Sequence, residues 1–181
     1  VATVKQIQEI TDFASDKVLS HTNTKYLIIN LALFVLPFFL GGSQIVLGTI
    51  VNFALIYIAL NFKQAKLLPA IFLPAISSFL SNSLLGSATI YLAILMPFIW
   101  LANGLFIMAI RAFIHNKKNL LLSLVISSIM KAFFLFGITF ILVSLFKFPN
   151  ILLLAMGLMQ LATAIIASIV YSIAHKKQQA N

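Results

Sequence analysis

Lys131 lies near the centre of an apolar run from Leu120 to Phe146, and no acidic residue follows Asp16 anywhere in the chain. An ammonium at membrane depth has three fates: it is neutral, it is caged by neutral acceptors, or it meets an anion brought by a ligand or partner. Counted at about 1.5 Å per helical residue, Lys131 is about 17 Å from Leu120, Gln160 about 15 Å from Asn150 and Trp100 about 18 Å from Ala88. All three fall close to a bilayer midplane. Asn52, Asn82 and Asn103 lie about 12, 5 and 22 Å from the ends of their own runs. Snorkelling is no exit for Lys131, because its four-carbon stem reaches only about 6 Å.

These polar groups align by face. Gln44, Gly48 and Asn52 repeat every four residues, as do Pro74, Ser78 and Asn82. The same spacing links Met96, Trp100 and Gly104, with Asn103 beside them; Ser123, Ser127 and Lys131; and Met156, Gln160 and Ala164, with Thr163 adjacent. Each set forms one helical stripe. Polar stripes in lipid turn toward the bundle interior, since each unsatisfied polar group in hydrocarbon costs several kcal/mol. There they serve either as interhelical glue, worth about 0.6 to 2 kcal/mol each, or as the lining of a ligand site. Trp100, with Phe98 and Tyr91, offers a platform for a planar ring, and Lys131 a partner for a carboxylate or phosphate on it.

Catalysis finds little support. His21, His115 and His175 stand at the ends of the apolar runs without metal-ligand spacing or a carboxylate to orient them. There is no cysteine, so thiolate zinc and cysteine-ligated iron–sulfur sites are excluded. A retinal-type Schiff base on Lys131 needs a carboxylate to balance the imine, and a proton-coupled carrier needs an intramembrane Asp, Glu or His. The chain is expected to be neither an enzyme nor a holder of a cofactor or metal.

The elements that position these residues follow from hydropathy. Of 181 residues, 62% are hydrophobic and 8% charged, and the mean hydropathy is +1.11, far outside the range of a water-soluble domain. Six apolar stretches, Tyr26 to Leu40, Gln44 to Phe62, Leu67 to Leu85, Ala88 to Ile114, Leu120 to Phe146 and Asn150 to Ala174, predict an all-α integral membrane domain of six transmembrane helices over residues 23–181. The first covers only about 22 Å, so it must extend toward Lys25 or continue past Gly41 and Gly42; a re-entrant first run is the alternative that Pro37 and the glycine pair permit. Residues 1–22 place Val4, Ile7, Ile10, Phe13, Ala14 and Val18 at helical spacing, which predicts a short amphipathic helix on the membrane surface.

Lys5, Lys17, Lys25, Lys63, Lys66, Arg111, Lys117, Lys118, Lys176 and Lys177 fall on one face of that topology and Lys147 alone on the other. The positive-inside bias then puts both termini in the cytoplasm. The net charge of +9 reads as cytoplasmic loops rather than a nucleic-acid surface. Loops on the opposite face are very short, so any ligand must bind among the helices.

Several segments carry a resemblance. LLPAIFLPAISSFLSNSLLG, LMPFIWLANGLFI, SSIMKAFFLFG and MGLMQLATAIIASIV are similar to a group of small bacterial membrane proteins that resemble the substrate-binding S component of energy-coupling factor transporters, some of them labelled iron hydrogenase. The chain's lack of cysteine is incompatible with that label. The resemblance spans roughly residues 26–175. It implies a bacterial inner-membrane subunit that binds a vitamin-like solute from outside among its helices and docks on a transmembrane coupling subunit bearing ATPases. It also implies ligand-binding roles for the motif positions Asn82, Pro97, Trp100, Asn103, Lys131 and Gln160, joined by Asn52 from its stripe alone. In that family the first span carries alanines four apart; here Tyr26 to Leu40 holds only Ala32. The competing expectations are a non-transport structural subunit of a larger membrane complex, or a binder of a lipid-soluble molecule such as a quinone.

Overall fold

A computed structural model of the chain describes residues 23–40, 42–82, 86–116 and 119–180. The amphipathic helix expected over residues 1–22 lies outside the described residues. The described chain is helical without strands: α1 Asn23–Leu40, α2 Gln44–Asn61, α3 Leu68–Ser81, α4 Ile90–His115, α5 Leu120–Phe146 and α6 Ile151–Ala180. All but α3 are long and apolar enough to cross a membrane. Their outward faces carry large apolar side chains, among them Phe133 at 77% exposure and Met108 at 71%. Surfaces of this kind are stable against lipid rather than water, which makes the chain a multi-pass membrane protein.

Local chemistry sets the helix ends. Ser43 caps α2 by accepting from the Val46 N–H at 3.4 Å, and Asn119 caps α5 by accepting from the Leu121 N–H at 3.0 Å. α1 runs unbroken through Pro37 and gains its length by extending back to Asn23, without the break at Pro37 that a re-entrant run would use. α3 is shorter than the expected Leu67 to Leu85 span, at 14 residues, or about 21 Å. The stop is Asn82, whose φ of 50° and ψ of 24° place it in the left-handed region that asparagine tolerates and that ends helices. Arg111 lies within α4, near its end. Its Nε donates to Ala59 O at 2.8 Å and its Nη2 to Phe62 O, covering carbonyls that the end of α2 leaves without intrahelical donors.

Three hydrogen bonds tie α2 to α6: Gln44 to Ala155, Asn52 to Thr163 and Asn61 to Tyr171, at sequence separations of 111, 111 and 110 residues. A constant offset means the two helices run parallel and in register. They approach closely at Gly48, where an added Cβ would lie 2.9 Å from Thr163 Cγ2. α5 runs antiparallel to α6, meeting it where the Ser128 and Ser168 hydroxyls lie 3.2 Å apart. α4 and α5 are likewise antiparallel, and α3 leans on α4 through Phe72 and Trp100, edge to face at 4.9 Å. The buried apolar residues form two clusters, one around Leu55, Phe106, Ile110 and Leu124, the other around Leu92, Leu95, Leu135 and Leu152. Between them lies a polar layer containing Asn52, Asn103, Lys131 and Thr163, all buried.

Candidate functional site

Lys131 is 2% exposed. Its Nζ donates to Asn52 Oδ1 at 2.7 Å and stands 5.2 Å from the centroid of the Phe106 ring. Both contacts favour an ammonium, the first as a charge-assisted hydrogen bond and the second through the ring's quadrupole. Asn52 passes the bond onward: its Nδ2 donates to Thr163 Oγ1 at 3.1 Å, and Thr163 Oγ1 donates to Met159 O at 2.9 Å. The direction is fixed chemically. A hydroxyl has one proton, so Thr163, having given its own to a carbonyl, must accept from Asn52, and Asn52 must then turn its oxygen to Lys131. The relay joins α5, α2 and α6. It uses one of the three N–H groups on Lys131 and offers no oxygen or nitrogen acceptor to the other two.

A cavity of about 80 Å³ adjoins the ammonium. Asn52, Asn103 and Lys131 line it from mid-helix positions, and Gln44, Ser78, Leu92 and Met156 line it nearer the end of the bundle where α2, α4 and α6 begin. Two local features shape the wall. Pro74 inside α3 lacks an N–H, and beside this interruption Ile71 O accepts from Asn103 Nδ2 at 3.1 Å. In α6, residues Leu154–Leu158 form a π turn, which widens the helix and resets the face on which Met156 and Gln160 emerge. Gln44 Nε2 donates to Ala155 O within that turn at 3.1 Å. Gln160 and Ser78 line the cavity, and their side chains make no hydrogen bond among the described residues.

Four of the residues singled out from sequence, Asn52, Asn103, Lys131 and Gln160, thus share one cavity. Trp100, Asn82 and Pro97 do not join them. Trp100 packs on Phe72 of α3, and its indole N–H has no partner among the described residues. Asn82 is the exposed residue that ends α3, and Pro97 faces outward from α4. The expected stripe of Met96, Trp100 and Gly104 is one residue step out of register: Leu92, Ile99 and Asn103 form the cavity face. A platform of Trp100, Phe98 and Tyr91 over Lys131 is therefore not formed; Tyr91 instead meets Phe148 at 4.7 Å. Asn52, taken from its stripe alone, is the direct partner of Lys131.

Sequence reasoning passed over Gln44, Ser78, Thr163 and Phe106 as site residues. The first two belong to stripes already visible by spacing, and Thr163 stands beside one. Phe106 carries no signal of type, because a phenylalanine in an apolar run is indistinguishable from core until its neighbour is known. Among the described residues no group of three His, Asp or Glu side chains is placed to hold a metal. No protein-family model, curated protein or solved structure matches this chain.

Proposed function

We propose that the chain is the solute-binding subunit of a membrane transport assembly, receiving a small solute among its helices at the cavity beside Lys131. The observation that carries this reading is a buried lysine with unspent donors facing a cavity, in a bundle whose connections at that end are short. The distribution of Lys and Arg supports an orientation with that end on the outer side and both termini in the cytoplasm, in a bacterial inner membrane. The chain holds no nucleotide-binding motif, so energy for transport comes from partner subunits, in keeping with a transmembrane coupling subunit and its ATPases. A vitamin-sized cargo fits less readily, since sites for drug-sized molecules run about 300 to 1,000 Å³ against a cavity of about 80 Å³.

One observation favours a second reading. Asn52 and the Phe106 ring already receive the Lys131 ammonium, as they would if the lysine only stitched helices together in a structural subunit of a larger complex. Native mass spectrometry of the purified protein separates the two. A retained small molecule in the wild type that disappears in Lys131→Met supports solute binding. An empty wild type that copurifies with a larger membrane protein lacking ATPase subunits refutes it.

A further inference from the structure

We propose that the cavity is a receptor for one small monoanion, the size of a short-chain carboxylate, seated against the Lys131 ammonium. This deepens the solute-binding reading and rests on it. Three independent properties of the wall point to that class.

The first is charge. Among the described residues Lys131 is the one ionisable side chain lining the cavity, and the sequence contains no acid after Asp16. One positive charge in a site without a carboxylate is matched by one negative charge; a cation entering it would meet only repulsion. The second is the balance of donors and acceptors. Three of the acceptors around it are already engaged, Asn52 Oδ1 by Lys131, Ile71 O by Asn103 and Ala155 O by Gln44, while Asn103 Oδ1 has no partner among the described residues. The excess is in donors, because two N–H groups of Lys131, which can only donate, have no partner among the described residues, and the amide of Gln160 and the hydroxyl of Ser78 are free to donate as well. A carboxylate accepts and cannot donate, and its two oxygens can take several such bonds at once. The third is shape. Leu92 and Met156 stand beside Gln44 and Ser78 nearer the end of the bundle, so a short alkyl group has apolar side chains to meet above its carboxylate, and a volume of about 80 Å³ favours a small solute.

The test is thermal unfolding of the full chain in neutral detergent at fixed ionic strength, with sulfate as balancing anion. The probes are acetate, its neutral isostere acetamide, methylammonium, and benzoate as a larger carboxylate. The expected result is a saturable rise of the unfolding midpoint with acetate and none with acetamide or methylammonium. Lys131→Met should weaken the acetate response at least tenfold. Gln160→Leu, which breaks no bond within the protein, should fold normally and weaken it several-fold, so the inference stays testable even if Lys131→Met misfolds. Equal responses to acetate and acetamide, or an unchanged acetate response in both variants, overturn it. A response to benzoate but not acetate also overturns it while leaving solute binding intact. Silence toward every probe overturns the monoanion assignment, and only an additional absence of any retained molecule in native mass spectrometry removes the solute-binding reading with it.

Discussion

Removing Asn52 should cost far more than removing Lys131, although each deletes the same hydrogen bond. In Asn52→Leu the Lys131 ammonium stays 2% exposed and loses its one hydrogen-bond acceptor, at 2.7 Å. A hydrogen bond to a charged group is worth about 1.5 to 3 kcal/mol, and an orphaned buried charge adds to that, so we expect destabilisation of about 2 to 4 kcal/mol. That is roughly a 30-fold to 1,000-fold shift in the unfolding equilibrium. Lys131→Met leaves behind only a neutral Asn52 oxygen, whose loss of a partner costs about 1 to 2 kcal/mol and is offset by the ammonium no longer being desolvated. The double variant Asn52→Leu/Lys131→Met replaces both groups by apolar ones of similar shape and should recover to within about 1 kcal/mol of wild type. Reversible unfolding in mixed micelles measures all four proteins, and the coupling energy should exceed about 1.5 kcal/mol. Additivity within about 0.5 kcal/mol, or a double variant as unstable as Asn52→Leu, would refute the claim that Asn52 is what holds the lysine's charge.

Two glycines should respond differently to alanine. At Gly48 the new methyl lands 2.9 Å from Thr163 Cγ2, inside the relay, so Gly48→Ala should destabilise by about 1 to 2 kcal/mol after its helix-propensity gain, with partial rescue by Thr163→Ser. At Gly157 the obstacle is the Phe136 ring at 2.7 Å, but that side chain is 43% exposed and can swing outward, so thermal melting of Gly157→Ala should differ from wild type by less than about 1 kcal/mol. Arg111→Met should cost about 1 to 3 kcal/mol by uncapping α2, and Arg111→Lys should restore no more than about half, because an ammonium lacks the two-pronged geometry that reaches both Ala59 O and Phe62 O. Since the sequence has no cysteine, orientation is readable by labelling: Gly42→Cys should react with a membrane-impermeant maleimide in intact cells and Gln178→Cys only after permeabilisation. The reverse pattern would invert the proposed topology.

Much of the helical layout is legible in the sequence because hydropathy and charge change sharply at the helix ends. Leu120 and Phe146 bound α5 in both readings. What could not be read depends on backbone conformation or on rotation about a helix axis. Asn82 looks like a ligand group by type, yet its left-handed φ makes it a helix terminator. Trp100 and Asn103 are three residues apart, close enough for both to seem inward; only contact with Phe72 and Ile71 decides that α4 turns the indole to α3 and the asparagine to the cavity. The π turn at Leu154–Leu158 has no proline or glycine pair to announce it, and it shifts the face of everything after it in α6. Arg111 reads as only one more charge on the basic face, because a guanidinium's ability to reach across and cap another helix is invisible without the neighbour.

The fixed offset between α2 and α6 has a consequence for how the protein is made. Synthesis proceeds from the N-terminus, so Asn52 is in place long before Thr163 exists, and Lys131 enters the membrane with only the first half of its relay available. The cavity itself has no wall on the Met156 and Gln160 side until α6 arrives. The site is therefore created only when α6 is in place: a chain stopped before residue 151 retains its lysine and Asn52, yet lacks the helix that orients the asparagine and closes the chamber.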